Sequence, residues 1–165
     1  MGILNDLLAR VVAANENLGA IIKEELEPQA GEIMEQQRLQ LLEGKASSGE
    51  DLRPYYSEDI KPGGYFKSGA SAANYSRWKQ SITYPYSVNR NPDAPNLYIN
   101  GKFHSELMVD FGQEQITIKG ETPYADNIIA KYGLSSFGLM TEKWNYIMRD
   151  RGVLGEIIEN LRRRL

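Results

Sequence analysis

The chain has 165 residues, 41% of them hydrophobic and 25% charged, with a formal net charge of −3 at pH 7, which is typical of a single globular domain. It has no cysteine, which excludes disulfides, cysteine-ligated zinc and thiol catalysis. No run approaches the roughly 20 apolar residues of a membrane span, and Asp6 and Arg10 interrupt the apolar N-terminus, so we expect neither a secretory signal nor a membrane partner.

The first quarter of the chain, residues 1–43, has helical spacing and is predicted to form a helical arm. Pro28 divides it into two helices or kinks one long helix. We expect the apolar stripe of the first part to pack on the later domain or on another subunit. The interface candidates on that stripe are Leu4, Leu8, Val11, Leu18 and Ile22.

Residues 44–96 are rich in Gly, Ser, Pro and charge, and they predict a long irregular region with one short helix over 71–82, capped by Ser71. Loops of this length are generally functional or are ordered by a partner. Exposed aromatic side chains are enriched at protein interfaces, but they also fill cores and stack on single-stranded bases. The interface candidates here are Tyr55, Tyr56, Trp78, Tyr84 and Tyr86.

Residues 97–165 predict a β-hairpin followed by helices. Apolar residues alternate over 107–111 and again over 116–118, with a turn between them. A helix is expected between Thr122-Pro123 and Gly133, and another begins at Thr141. The elements together predict an α+β fold, a single domain with a helical arm.

Charge is unevenly distributed along the chain. Residues 1–60 carry 12 acids and 5 bases (−7), and residues 61–165 carry 10 acids and 14 bases (+4). One interpretation is complementary faces that meet head to tail, or a basic rim facing DNA formed by Arg162, Arg163 and Arg164. The other is a solvated acidic helix and a C-terminal helix whose arginines complement its dipole.

The residues that could carry chemistry form no recognisable catalytic pattern. His104 is the only histidine and lacks the neighbours of a metal or acid–base site; we expect it half-exposed, with a hydrogen bond to the backbone. Glu106 and Asp110 would lie about 13 Å apart on a strand, too far for a joint acid–base pair. The sequence therefore predicts no enzyme, cofactor or metal, with a phage-encoded hydrolase as an alternative.

The stretch "LYINGKFHSELMVDFGQEQITIKGETPYADNIIAKYG" resembles head–tail connector and tail-completion proteins of tailed bacteriophages. In that family a Thr-Gly or similar pair leads through a turn with an apolar residue and a serine into a β-hairpin, and a helix starting with "YA" follows. The matching positions here are Asn100-Gly101, Phe103, Ser105, Tyr124-Ala125 and Lys131-Tyr132-Gly133.

Upstream, "QRLQLLEGKASSGEDLRPYYSED" is similar to a segment of virion proteins from phages of gut Bacteroidetes, so that the resemblance covers about residues 37–137. Its matching positions are Leu41, Gly44, Gly49, Leu52, Pro54 and Tyr56.

The resemblance implies a structural protein of the virion that forms a ring at the neck, with a long helix packed on a small β-sheet. Such a ring joins the portal to neighbouring neck or tail proteins and lines or seals the DNA channel, and its subunits pass through the host cytoplasm during assembly. Asn100-Gly101 would then be a backbone corner that needs residues tolerant of positive φ. A nucleic-acid-binding phage accessory protein is the alternative.

Overall fold

The fold is an α+β arrangement of helices packed around an antiparallel hairpin, as predicted. The computed structural model describes residues 2–53, 66–82, 88, 94–112, 115–123 and 125–164, without the side chains of 2–7 and 14. The helices are α1 (Gly2–Leu26), α2 (Ala30–Leu42), α3 (Gly69–Ser81), α4 (Lys102–Ser105), α5 (Ala125–Tyr132), α6 (Thr141–Asn145) and α7 (Val153–Arg164). The strands are β1 (Leu107–Phe111) and β2 (Ile116–Gly120).

The predicted arm consists of two helices rather than one kinked helix. α1 and α2 are joined by a short 3₁₀ turn, Glu27–Gln29, with Pro28 inside it. Proline is tolerated there because the first turn of a helix has no internal partner for its missing N–H. The two helices then diverge in their contacts, because α1 packs against α7 and α2 packs against β1.

The short helix of the middle region begins earlier than predicted. α3 starts at Gly69, and its N-cap is Ser68 rather than Ser71. The two serines form a reciprocal capping box: Ser71 N donates to Ser68 Oγ at 3.2 Å, and Ser68 N donates to Ser71 Oγ at 3.1 Å. Ser71 is thus the third helical residue, which satisfies the cap residue in return.

The hairpin is formed as the alternation predicted. β1 and β2 pair antiparallel in the register Val109↔Ile118, and Gly112 N donates to Gln115 O at 2.9 Å beside the turn. Leu107 and Ile118 face the core. A two-stranded sheet is marginal alone, so the helix behind it supplies the stability.

The core lies where α2 meets the hairpin and the C-terminal helices. Fully buried aliphatic side chains of α2, among them Ile33 and Leu41, belong to one cluster with Leu107, Ile147 and Val153. α2 is therefore the central helix of the fold, covered on several sides.

Two buried glutamines of α2 hold the chain that follows α5. Gln37 accepts from Gly138 N at 2.9 Å and donates to Ser136 O at 3.3 Å. Gln40 accepts from Met140 N at 2.8 Å and donates to Gly138 O at 2.8 Å. The irregular segment between α5 and α6 thereby satisfies its backbone groups inside the protein without a β-ladder.

Glycines lie at the end of α5 and at the start of α7. Gly133 closes α5 as predicted, with φ of 83° and its N–H bonded to Ile129 O at 2.8 Å. α6 begins at Thr141 as predicted and continues into a π-helical turn, Tyr146–Asp150. Gly152, with φ of 81°, then allows the chain to start α7.

Candidate interaction surface

Helix α1 is buried at one end and exposed at the other. Ile21 and Leu26 belong to the core, and Leu18 and Ile22 are half-buried. Every described side chain of residues 8–17 is exposed. We call residues 8–17 the outer segment of α1.

The predicted apolar stripe therefore divides into a part that packs in the monomer and a part that does not. Leu8 is 62% exposed, Val11 51% and Val12 48%. Leu4 lies in α1, but its side chain is outside the described residues. The stripe is continuous along the helix, so its upper half presents the same kind of face that its lower half buries.

The outer segment is also poor in charge. Residues 7–22 carry two charged side chains, Arg10 and Glu16. A solvated helix normally places charged and polar residues on the face away from the core, whereas this one carries small apolar residues such as Ala9 and Ala13 there. Contiguous apolar surface on a soluble protein marks an interaction site.

Helix α7 covers the lower half of the α1 stripe. Asn160 Nδ2 donates to Glu25 Oε1 at 2.7 Å, and Arg164 Nη2 donates to Glu24 Oε2 at 2.6 Å. Arg164 Nε also donates to Asn160 Oδ1 at 2.8 Å. Polar contacts thus fix the position of the end of α7 against α1. The apolar side chains of Val153 and Ile157 on α7 are buried in the core.

The three C-terminal arginines have different environments. Arg164 is bound to Glu24 and Asn160, so its charge is neutralised within the chain. Arg162 and Arg163 are exposed, and Arg162 lies 3.9 Å from Glu159, one turn earlier on the same helix. Pairs of this kind on an exposed helix contribute a few tenths of a kcal/mol, so both side chains are available to a partner.

Helix α7 has a second apolar face that the sequence pattern did not single out. Leu154 and Ile158 are 41% and 43% exposed. They lie four residues apart on one side of α7, with Arg162 a further turn along. We call Leu154 and Ile158 the outer face of α7. The sequence signal for this face was the adjacent pair Ile157 and Ile158. A helix that buries one face can bury only one of two adjacent residues.

A shallow apolar groove of about 300 Å³ lies beside β2. Its lining residues are Ile116, Thr117, Ile118, Leu134, Phe137, Gly138, Leu139 and Trp144. Leu134, at its rim, is 73% exposed. It is a third apolar feature of the described surface, after the outer segment of α1 and the outer face of α7.

The predicted corner at Asn100-Gly101 makes a tight turn into α4. Gly101 has φ of 81° and is the N-cap of α4, and a Cβ there would come within 3.3 Å of the Tyr98 ring. Asn100 contributes its side chain: its Oδ1 accepts from Lys102 N at 3.1 Å. Among the described non-glycine residues it is Leu97 that has positive φ, 52°. The left-handed conformation expected of the pair is therefore supplied by Gly101 and not by Asn100.

His104 is buried, not half-exposed as expected. Its side chain is 5% exposed, and its Nε2 lies 3.1 Å from Asn96 O. Because the carbonyl accepts, Nε2 carries the proton and Nδ1 does not; Nδ1 is a buried atom without a hydrogen-bond partner among the described residues. The expected hydrogen bond to the backbone is present.

The surroundings of His104 keep the ring neutral. Burial lowers the pKa of His104 to about 4, against the smaller opposing effect of the hydrogen bond to Asn96 and with help from the positive charges of Lys79 and Arg38. Arg38 Nε also donates to the His104 carbonyl at 2.8 Å. A histidine with this pKa is a poor general base near neutral pH, and the contacts around it are those of a structural residue.

The other candidates for chemistry are dispersed. Glu106 lies just before β1 rather than on a strand, 3.7 Å from Lys102, and Asp110 is 3.4 Å from Lys119 on the exposed side of the hairpin. Across the part of the chain that the structure describes, no group of three His, Cys, Asp or Glu side chains could hold a metal ion.

Of the aromatic candidates, Trp78 is exposed on α3, with its ring 5.4 Å from that of Tyr75. Tyr55, Tyr56, Tyr84 and Tyr86 lie outside the described residues. The structure therefore places Trp78 on the surface, and the proposed role of this aromatic group stays a prediction.

Comparisons with family models, with curated proteins and with solved structures found no match to this chain. The resemblance to neck proteins of tailed phages accordingly stays a prediction. Among the helices of the described residues, none is both long and apolar enough to cross a membrane.

Proposed function

We propose that this chain is a structural subunit of a tailed-phage virion, and that it assembles into a ring at the neck, between the portal and the tail. The observation that carries the proposal is the outer segment of α1, a helix end with three exposed aliphatic side chains and few charges. An apolar helix end of this kind is stable in water only at a cost, which contact with another subunit removes.

The proposal assigns a mechanical role. The ring would hold neighbouring neck or tail proteins together and line or seal the DNA channel, so its work would be done by packed surfaces rather than by a reaction. The buried, neutral His104 and the separately paired carboxylates Glu106 and Asp110 are in keeping with that role.

The test is the mass of the purified full-length chain in solution, measured by light scattering over a range of concentrations, alone and then mixed with portal protein from the same phage. We expect a multiple of 18.7 kDa, and a larger complex with portal. A chain that stays at 18.7 kDa at all concentrations and with portal would contradict the proposal.

A variant of the outer segment makes the test specific. Leu8→Gln, Val11→Gln and Val12→Gln together keep helix-forming residues in place but remove the apolar surface, and we expect at least a tenfold rise in the dissociation constant of the assembly. The matched control is Asn17→Gln with Ala20→Gln, at exposed positions on the side of α1 opposite the stripe. Equal effects of both variants would argue against a specific contact.

A nucleic-acid-binding accessory role is the second candidate, and it is favoured by exposed Arg162 and Arg163 at the end of α7. Binding through phosphate contacts weakens steeply with salt. Binding of double-stranded DNA at low salt that falls on Arg162→Gln with Arg163→Gln would support it, and no binding at 20 mM salt would dismiss it.

A further inference from the structure

We propose that the outer segment of α1 binds the outer face of α7 (Leu154 and Ile158) of a second copy of this chain. The inference rests on the proposed assembly and names the surface that receives the arm. It makes the contact heterologous, since two different surfaces of the same chain meet.

The first argument is continuity with the contact that already exists between these helices. Within one copy, α7 packs against α1 and bonds Glu24 and Glu25 near the buried end of that helix, whereas Leu8, Val11 and Val12 are exposed at its other end. What fits the lower half of the stripe is an amphipathic helix with an apolar face and a polar edge. The outer face of α7 is a surface of that kind, and it is unoccupied within the described chain.

The second argument is charge. The outer segment carries one base, Arg10, and one acid, Glu16, so its net charge is zero. Glu24 and Glu25 bind α7 of the same copy, whereas Glu16 and Glu27 make no ion pair with any described residue. Arg162, at the border of the outer face of α7, is exposed and cationic. Arg162 of a second copy can therefore pair with Glu16, as Arg164 pairs with Glu24 within one copy.

Heterologous contacts have a further consequence for assembly. A surface that binds a different surface on the next copy produces a closed ring when the rotation between copies closes, and an open filament when it does not. An isologous pairing of two outer segments would instead stop at a dimer. The proposed pairing is thus of the type that a ring requires.

The test is complementation between two defective variants. One carries Leu8→Gln, Val11→Gln and Val12→Gln in the outer segment; the other carries Leu154→Gln and Ile158→Gln in the outer face. Each alone is expected to be monomeric, because each lacks one half of every contact. Mixed in equal amounts they retain one intact contact per pair, so we expect a one-to-one dimer by light scattering.

Leu134→Gln is the matched control for the outer face, an exposed leucine replaced in the same way beside the β2 groove. It is expected to assemble as the unmodified chain does. Loss of assembly in Leu134→Gln, with normal assembly of the α7 variant, would make the groove the receptor and overturn the inference. If the α7 variant and Leu134→Gln both assemble normally, the outer segments pair with each other, and the inference is overturned as well.

If circular dichroism shows that the double α7 variant is unfolded, a charge substitution provides an independent test. Arg162→Glu is a single exposed change that turns an attraction to Glu16 into a repulsion, and we expect it to raise the dissociation constant about threefold to fivefold, with Arg163→Glu as the control on another side of α7. An unmodified chain that is monomeric throughout would defeat the proposed function itself, whereas an assembling chain indifferent to Arg162→Glu and to the α7 variant would defeat this pairing alone.

Discussion

His104 makes the stability of the protein depend on pH. The folded-state pKa of about 4 lies below the 6.5 of an unperturbed histidine, so between these values the unfolded chain binds a proton that the folded chain does not. The contribution of the neutral ring is therefore complete above pH 6.5 and is lost as the pH falls towards 4.

We expect the free energy of unfolding to fall by about 2 kcal/mol between pH 7 and pH 5 on account of this residue. His104→Gln keeps a donor for Asn96 O but does not titrate, so its stability should change less over the same interval. Urea denaturation of both proteins at the two pH values measures the difference. Parallel losses in the two proteins would mean that other groups carry the pH dependence.

Individual residues also mark the limit of what the sequence could predict. The roles of Gly101 and Gly133 could be predicted because few residues other than glycine adopt positive φ at a turn. The burial of His104 and Lys79 was not, since both are polar residues of types that usually lie at the surface. Ser68 and Ser71 lie close together in a capping box, and composition alone does not tell which of the two is the cap.

At the scale of elements, side chains of α2 hold the segment that follows α5 in place through hydrogen bonds. Gln40 sits at a fully buried helical position where a hydrophobic residue is usual, and its side chain makes two hydrogen bonds to the backbone, to Gly138 O and Met140 N. The helical spacing predicted the buried face of α2 but not this role, because the partner is about 100 residues away in the chain.

Replacing Gln40 by Leu should destabilise the protein by about 2–4 kcal/mol, because it leaves a buried carbonyl and a buried N–H without partners. Gln36→Leu is the matched control, since the half-buried side chain of Gln36 bonds Glu32, one turn earlier on the same helix, and we expect a change within about 1 kcal/mol. The midpoint of urea unfolding reports both. A similar small effect for Gln40→Leu would mean that water reaches the segment.

The hairpin and the long helices followed from hydrophobic periodicity because each has one buried face. The π-helical turn Tyr146–Asp150 did not, because it interrupts a pattern that reads as one helix from Thr141. Nor did the second apolar face of α7, because periodicity reports that a face is apolar without reporting what covers it.

At the scale of the whole molecule, the proposed assembly would assign folding and subunit contact to different ends of one helix. Ile21 and Leu26 are core residues, so removing all of α1 would disturb the fold as well as the assembly. A truncation that starts at Asn15 removes most of the outer segment and leaves these residues in place.

We expect the chain starting at Asn15 to unfold within about 0.5 kcal/mol of the full-length monomer but to lose assembly. A chain starting at Lys23 lacks Ile21, and we expect it to lose about 2–5 kcal/mol of stability in addition. Chemical denaturation and light scattering separate the two effects. A shorter chain that still assembled fully would exclude the outer segment as the contact.

The length of α1 has a mechanical consequence. At 1.5 Å per residue, residues 2–17 span about 24 Å, anchored by the packing near Ile21. A tilt of roughly 10° at that anchor, within the ordinary scatter of helix crossing angles, displaces the tip by about 4 Å. In the proposed ring, such a tilt would let the outer segment follow neighbouring subunits whose spacing varies by several ångströms, while the side chains around Ile21 keep their places.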